Sequence, residues 1–150
     1  MVVEVTRYPN AIAALESAGW SSEASTSVER LNLEQLTTAG FETWPTALST
    51  LQKLGVFEIK SMRRGRVDRF WVDAAKASSM LDASWAEKYQ VRVSSRLLPI
   101  GCAYNDHMVL LLAEDGRVFG SYDDFLALLG ENVFAAIELF LTNGEVEEIA

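Results

Sequence analysis

At 150 residues, 49% hydrophobic and 23% charged, the chain has the size and composition of one soluble globular domain spanning 1–150. Its longest unbroken apolar run, Met108 to Ala113, is six residues, far short of the roughly 20 that a membrane helix needs. The net charge of −8 is uneven: residues 60–100 hold nine basic and four acidic groups, net +5, whereas 101–150 hold one and ten, net −9, a balance that repels phosphate and disfavours nucleic acid as a partner of the carboxy-terminal third.

Three short helices are expected first. In "NAIAALESAG" Asn10 can cap, Ile12 and Leu15 share a face, and Gly19 stops the helix. In "NLEQLTTAG" Asn32 and Gln35 have capping-box spacing and Gly40 terminates. "WPTALSTLQKLG" places Pro45 in the first turn, with Leu48, Leu51 and Leu54 inward. The period then becomes strand-like. "VFEIKSM" and "RVDRFWVD" flank Arg63-Arg64-Gly65, a hairpin signal. Asp73 can cap a helix through "AAKASSMLDASWAEKY". "LLPIGCAY" reads as extended, with Pro99 better suited to an edge than to a central strand. "HMVLLLA" and "RVFGSY" form a second hairpin around Glu114-Asp115-Gly116. Two helices are expected to close the chain. One is "SYDDFLALLG", with Ser121 as cap, Asp124 three residues on and Gly130 as stop; the other runs from Asn132 to Asn143-Gly144. The order ααα-ββ-α-βββ-αα predicts an α+β fold, an antiparallel sheet of about five to six strands with helices packed against it.

No catalytic set assembles from these residues. His107 is the only imidazole, no G-x-S-x-G elbow surrounds it, and Asn105-Asp106 supply turn chemistry beside it. Replacing His107 by alanine should therefore leave function intact. One histidine and one cysteine do not make a structural zinc tetrad, and no phosphate-binding glycine loop occurs. No metal or cofactor is expected. The lone Cys102 excludes an internal disulfide, and "MVVEVTRYPN" lacks the basic and apolar regions of a signal peptide, which together suggest the cytoplasm.

Two charged features could contact a partner. The basic stretch 60–71 combines Lys60, Arg63, Arg64, Arg66 and Arg69 with Phe70 and Trp71, ingredients of a single-strand nucleic-acid surface. Charges on an edge hairpin also guard against aggregation, and on that reading Arg63, Arg64 and Arg66 can all become serine without affecting a partner. The acidic pairs Glu114-Asp115 and Asp123-Asp124 sit on turns or helix starts and are the expected partner-binding residues, while Glu145, Glu147 and Glu148 are expected in a frayed tail.

Four segments, in order, resemble the SUKH superfamily, and within it the third group: "LESAGW" at 15–20, "FETWPTALSTLQKLGVFEI" at 41–59, "RLLPIGCAYNDHMVLLLAEDGRVFG" at 96–120 and "LLGENVFAAIELFLTNG" at 128–144. The chain departs from that pattern after Gly19-Trp20, where the family often has an arginine-rich step, and across 60–95. The resemblance implies an α+β immunity protein of the bacterial cytoplasm that binds and blocks a cognate polymorphic toxin, often a nuclease or deaminase. It brings no catalytic residues and makes Trp20 and Trp44 framework residues. The alternative from the residues alone is a nucleic-acid-binding or regulatory module using hairpin 60–71.

Overall fold

The structure is a computed structural model that describes residues 7–150; the start of the "MVVEVTRYPN" segment lies outside the described residues. Four helices come first: α1 (Pro9–Ser17), α2 (Val28–Leu31), α3 (Glu34–Thr38) and α4 (Pro45–Leu54). Then follow β1 (Phe57–Arg63), β2 (Arg66–Val72), α5 (Ala74–Ala77), α6 (Ala83–Val93), β3 (Leu97–Ala103), β4 (Met108–Ala113), β5 (Val118–Tyr122), β6 (Phe125–Gly130), α7 (Val133–Leu141) and β7 (Glu147–Glu148). The seven strands form one antiparallel sheet in the order β1-β2-β3-β4-β5-β6-β7. The α+β class is as expected, with a slightly larger sheet.

Side-chain alternation divides the interior into two cores. On one face Phe57, Ile59, Phe70, Ile100, Leu110 and Leu112 pack with Leu15, Leu36, Leu51, Ile137 and Phe140 from α1, α3, α4 and α7. On the other, Trp71, Cys102, Val109, Leu111, Phe119 and Leu126 pack with Ala77 of α5 and Tyr89 of α6. The central strands β3 and β4 are thus buried on both sides, which is why they read as continuous apolar runs. Among the described residues no helix is long and apolar enough to cross a membrane.

Several local expectations are corrected. Residues 121–130 are not a helix. Ser121 and Tyr122 end β5, Asp123-Asp124 make a two-residue turn, and Phe125–Gly130 form β6. Leu126 and Ala127 are both fully buried on opposite faces, and a short run apolar on both faces does not distinguish helix from strand by period. The segment after Asp73 is two helices rather than one. Asp73 does cap α5, accepting from the Lys76 amide, but the hydroxyls of Ser78 and Ser79 turn back to main-chain carbonyls and Asp82 caps α6 afresh. The acidic tail is not frayed: Glu147 and Glu148 pair with β6, and Ile149 donates to the Leu126 carbonyl.

The early caps also differ. Asn10 lies inside α1, whose first position is Pro9, and the cap comes from α7: Glu138 accepts from the Ala11 amide at 2.9 Å and from Asn10 at 2.6 Å. Asn32 closes α2 in a left-handed conformation (φ 51°) instead of opening a capping box. Leu48 is only half-buried, while Ala47, Leu51 and Leu54 face the core. Pro99 sits in an internal strand after all. However, β2 pairs with β3 only at Gly101 and Cys102, so Pro99 bonds β4 on one side and meets no ladder on the other.

Cys102 is fully buried, and burial pushes its thiol up to about 12 from the ordinary 9.0. The folded-state value lies above the unfolded one, so the neutral thiol stabilises the fold fully below pH 9, and this contribution fades as pH rises from 9 to about 12. Iodoacetamide at pH 8 should leave the native protein unlabelled and modify Cys102 once denaturant unfolds the chain. Rapid native labelling would contradict this burial.

Candidate partner-binding surface

The β4–β5 and β5–β6 hairpins share strand β5, so their turns emerge at opposite ends of the sheet. Glu114 and Asp115 occupy the β4–β5 turn; Asp123 and Asp124 occupy the β5–β6 turn, a strand length of roughly 17 Å away. The expected acidic residues therefore divide between two sites with different electrostatics.

At the first end each carboxylate has a cation. Glu114 pairs with Arg96 at 3.2 Å and accepts its amide, which holds the carboxyl below the usual range. Asp115 pairs with Arg117 at 2.7 Å, and Glu131 with Arg7 at 2.6 Å. At the second end, among the described residues, the carboxylates of Asp123 and Asp124 form no hydrogen bond or ion pair, and both residues are exposed. Their backbone is fixed from α6: Tyr89 donates to the Asp123 carbonyl and Arg92 to that of Asp124 at 2.9 Å.

Beside this turn lies a groove of about 280 Å³ between the α5–α6 connection, the β3–β4 turn and the β5–β6 turn. Trp85, His107 and Tyr122 supply rings, His107 standing edge-on to Tyr122 with centroids 5.7 Å apart. Asp82, Asp106 and Asp123 supply carboxylates, and no lysine or arginine lines the groove. Met80 and Tyr122 are two of the large apolar side chains left exposed. An aromatic and anionic groove of this composition suits a cationic side chain, which gains both charge pairing and ring contact.

The β3–β4 turn holds an unusual backbone. Tyr104, Asn105 and Asp106 all have left-handed φ, 56°, 61° and 60°. Asn and Asp tolerate this region, but Tyr104 is strained there, at about 1–3 kcal/mol. The turn persists because two side chains of β2 fix its atoms. Asp68 of β2, only 3% exposed, accepts from the Asn105 amide at 2.7 Å, and the Trp71 indole donates to Asp106 at 2.8 Å. Arg63 completes the cluster, 3.2 Å from Asp68, with its guanidinium 4.9 Å from the Tyr104 ring centre.

Arg63 is thus more than an exposed charge near the hairpin tip. It also donates to the Phe140 carbonyl and to Asn143, tying the hairpin to α7. Phe70 and Trp71, offered above as stacking groups, are both core residues at 0% and 6% exposure. Trp20 and Trp44 are framework too: Trp20 donates to the Lys53 carbonyl and packs edge-on to Phe134, and Trp44 is buried under Arg96. The role of Asp68 was invisible in sequence, where it read as one more polar residue of an alternating strand. The consecutive Asn105-Asp106 was the only signal for the turn.

His107 lies at the groove mouth, exposed, and Cys102 lies beneath the sheet surface with its thiol protonated. Among the described residues no group of three or more His, Cys, Asp or Glu is placed to hold a metal ion. No curated protein and no solved structure matches the chain. The family model described as SUKH-3 immunity protein matches residues 7–143, from the start of the described chain to the end of the α7 connection. With that match spanning every helix and the first six strands of the meander, the chain belongs to the SUKH-3 immunity protein family.

Proposed function

We propose that this protein binds a cognate bacterial toxin in the cytoplasm and neutralises it by occupying a basic surface of that toxin. Family membership supports the immunity role. The observation that carries the mode of binding is the set of carboxylates without an ion-pair partner, Asp123 and Asp124 with Asp82 and Asp106, around an aromatic groove that no lysine or arginine lines. Toxins that act on nucleic acid grip phosphates with basic surfaces, and carboxylates held on ordered turns can take the place of those phosphates. Glu114 and Asp115, already paired with Arg96 and Arg117, add less.

The test is to isolate the toxin by co-purification and measure binding at low and high ionic strength. Changing Asp123 and Asp124 together to asparagine should weaken binding about tenfold at low salt, chiefly through slower association. The same change at Glu114 and Asp115 should have a smaller effect. Affinity that is independent of salt and unchanged by the first double variant would place the contact elsewhere.

A further inference from the structure

Strand β1 is one of the two edge strands of the sheet, the other being the two-residue β7. Outside its ladder with β2, no backbone group of Phe57–Arg63 forms a hydrogen bond among the described residues. This open edge is seven residues long, enough for a full strand to be added. Its register with β2 puts Glu58, Lys60 and Met62 opposite Trp71, Arg69 and Val67 on the face away from the main core. The helices α5 and α6 pack over the later strands and the Trp71 end of β2 and leave the turn end of the hairpin bare. Met62 and Val67, direct cross-strand partners next to the hairpin turn, are 63% and 56% exposed, and Val56, at the other end of β1, is 55% exposed. Towards that other end, Val56, Arg69, Trp71 and Lys76 border a groove of about 350 Å³.

Edge protection alone accounts for charges on such a strand, but not for an exposed apolar pair beside its turn. The charge of the hairpin decides the occupant. Lys60, Arg64, Arg66 and Arg69 are exposed, against Glu58 alone, on a chain whose net charge is −8. A nucleic acid would need rings for its bases, and the three aromatic residues of the hairpin, Phe57, Phe70 and Trp71, are buried. A second copy pairing through its own β1 would bring together two hairpins that each expose Lys60, Arg64, Arg66 and Arg69 against Glu58, and this like charge repels. An acidic strand satisfies both the backbone edge and the charge.

We propose that the β1 edge and the bare Met62–Val67 face form a second docking site, which takes an extended, acidic segment of a protein partner as an eighth strand. Alternate side chains of that segment would cover Met62 and Val67, and its carboxylates would meet Lys60 and Arg69. This site is separate from the groove beside Asp123.

The full-length protein can be titrated with three probes: a capped nonapeptide with glutamate and valine alternating along one face and serine along the other, its lysine-for-glutamate counterpart, and an oligouridine. Binding is read by amide chemical shifts and hydrogen exchange. The glutamate peptide should bind about tenfold more tightly than the lysine peptide at low salt, and alternate amides of 57–63 should gain protection. Reversing charge with Lys60→Glu and Arg69→Glu should invert the peptide preference, with the fold confirmed by circular dichroism. The milder Met62→Ser should weaken the glutamate peptide even if the reversal variant folds poorly. Equal binding of both peptides, no binding, perturbation centred on Asp123, preferential binding of oligouridine, or peptide-free self-association through β1 would each overturn the proposal. No toxin enters this assay, so its failure leaves the neutralisation reading standing, and the converse also holds.

Discussion

Asp68→Ala should lower folding stability by about 3 kcal/mol and loosen the β3–β4 turn. The side chain is 3% exposed and accepts from the amides of Arg69 and Asn105 at 2.7 Å while pairing with Arg63 at 3.2 Å. Removing one member of a buried ion pair costs about 3–5 kcal/mol, because the other charge stays behind without its partner. The lower end applies here, since Arg63 keeps the Phe140 carbonyl and Asn143 as acceptors. Asp68→Asn should cost less, retaining an acceptor for the Asn105 amide. Urea unfolding of the three proteins measures the effect, and hydrogen exchange at 104–107 reports the turn directly. Arg63→Ser should also destabilise, whereas Arg64→Ser and Arg66→Ser, at an exposed tip, should stay within about 0.5 kcal/mol of the parent. Partner binding should fall with Asp68→Ala beyond its effect on stability, because Asp106 at the groove is carried by this turn. Equal stability of Asp68→Ala and the parent would remove the support assigned to the cluster.

Gly101→Ala should be still more damaging, above about 3 kcal/mol. A Cβ at this position would lie 1.9 Å from the Trp71 carbonyl oxygen and 3.0 Å from the Val72 Cα. Both neighbours are backbone, so neither can swing aside as a side chain would, and a packed interior accommodates such insertions only by moving a strand. The strand that must move is β2, which holds β3 only through Trp71↔Cys102 and Val72↔Gly101. Separation there would release the whole β1–β2 hairpin, with Asp68 on it. Gly65→Ala is the comparison: at φ +78° with open space around it, it should cost only about 1–2 kcal/mol of backbone strain. If the two alanine variants unfold at the same urea concentration, the close approach of β2 is wrong.

The hairpins were legible before any coordinates because turn chemistry is local. Arg64-Gly65 takes left-handed φ at both positions (51° and 78°), and Gly116 takes +93°, conformations that glycine adopts without cost. The Asn132 cap of α7 was likewise readable, its side chain accepting from the Ala135 amide. The fold class followed from these, as did the absence of any assembled nucleophile and base in the sequence.

What sequence alone left open was decided by partners distant along the chain. Glu138 caps a helix 127 residues away, and no local pattern records that. Leu126 and Ala127 became strand because two sheet faces needed covering, which a run apolar on both sides does not announce. The acidic pairs looked equivalent as sequence. Tertiary structure separated them by pairing Glu114 and Asp115 with Arg96 and Arg117, whereas Arg92 beside Asp124 bonds a main-chain carbonyl and leaves both carboxylates of that turn without an ion pair. Charge counts are fixed by composition, but the field that a partner meets depends on which charges the fold neutralises, and that is set by packing across the sheet.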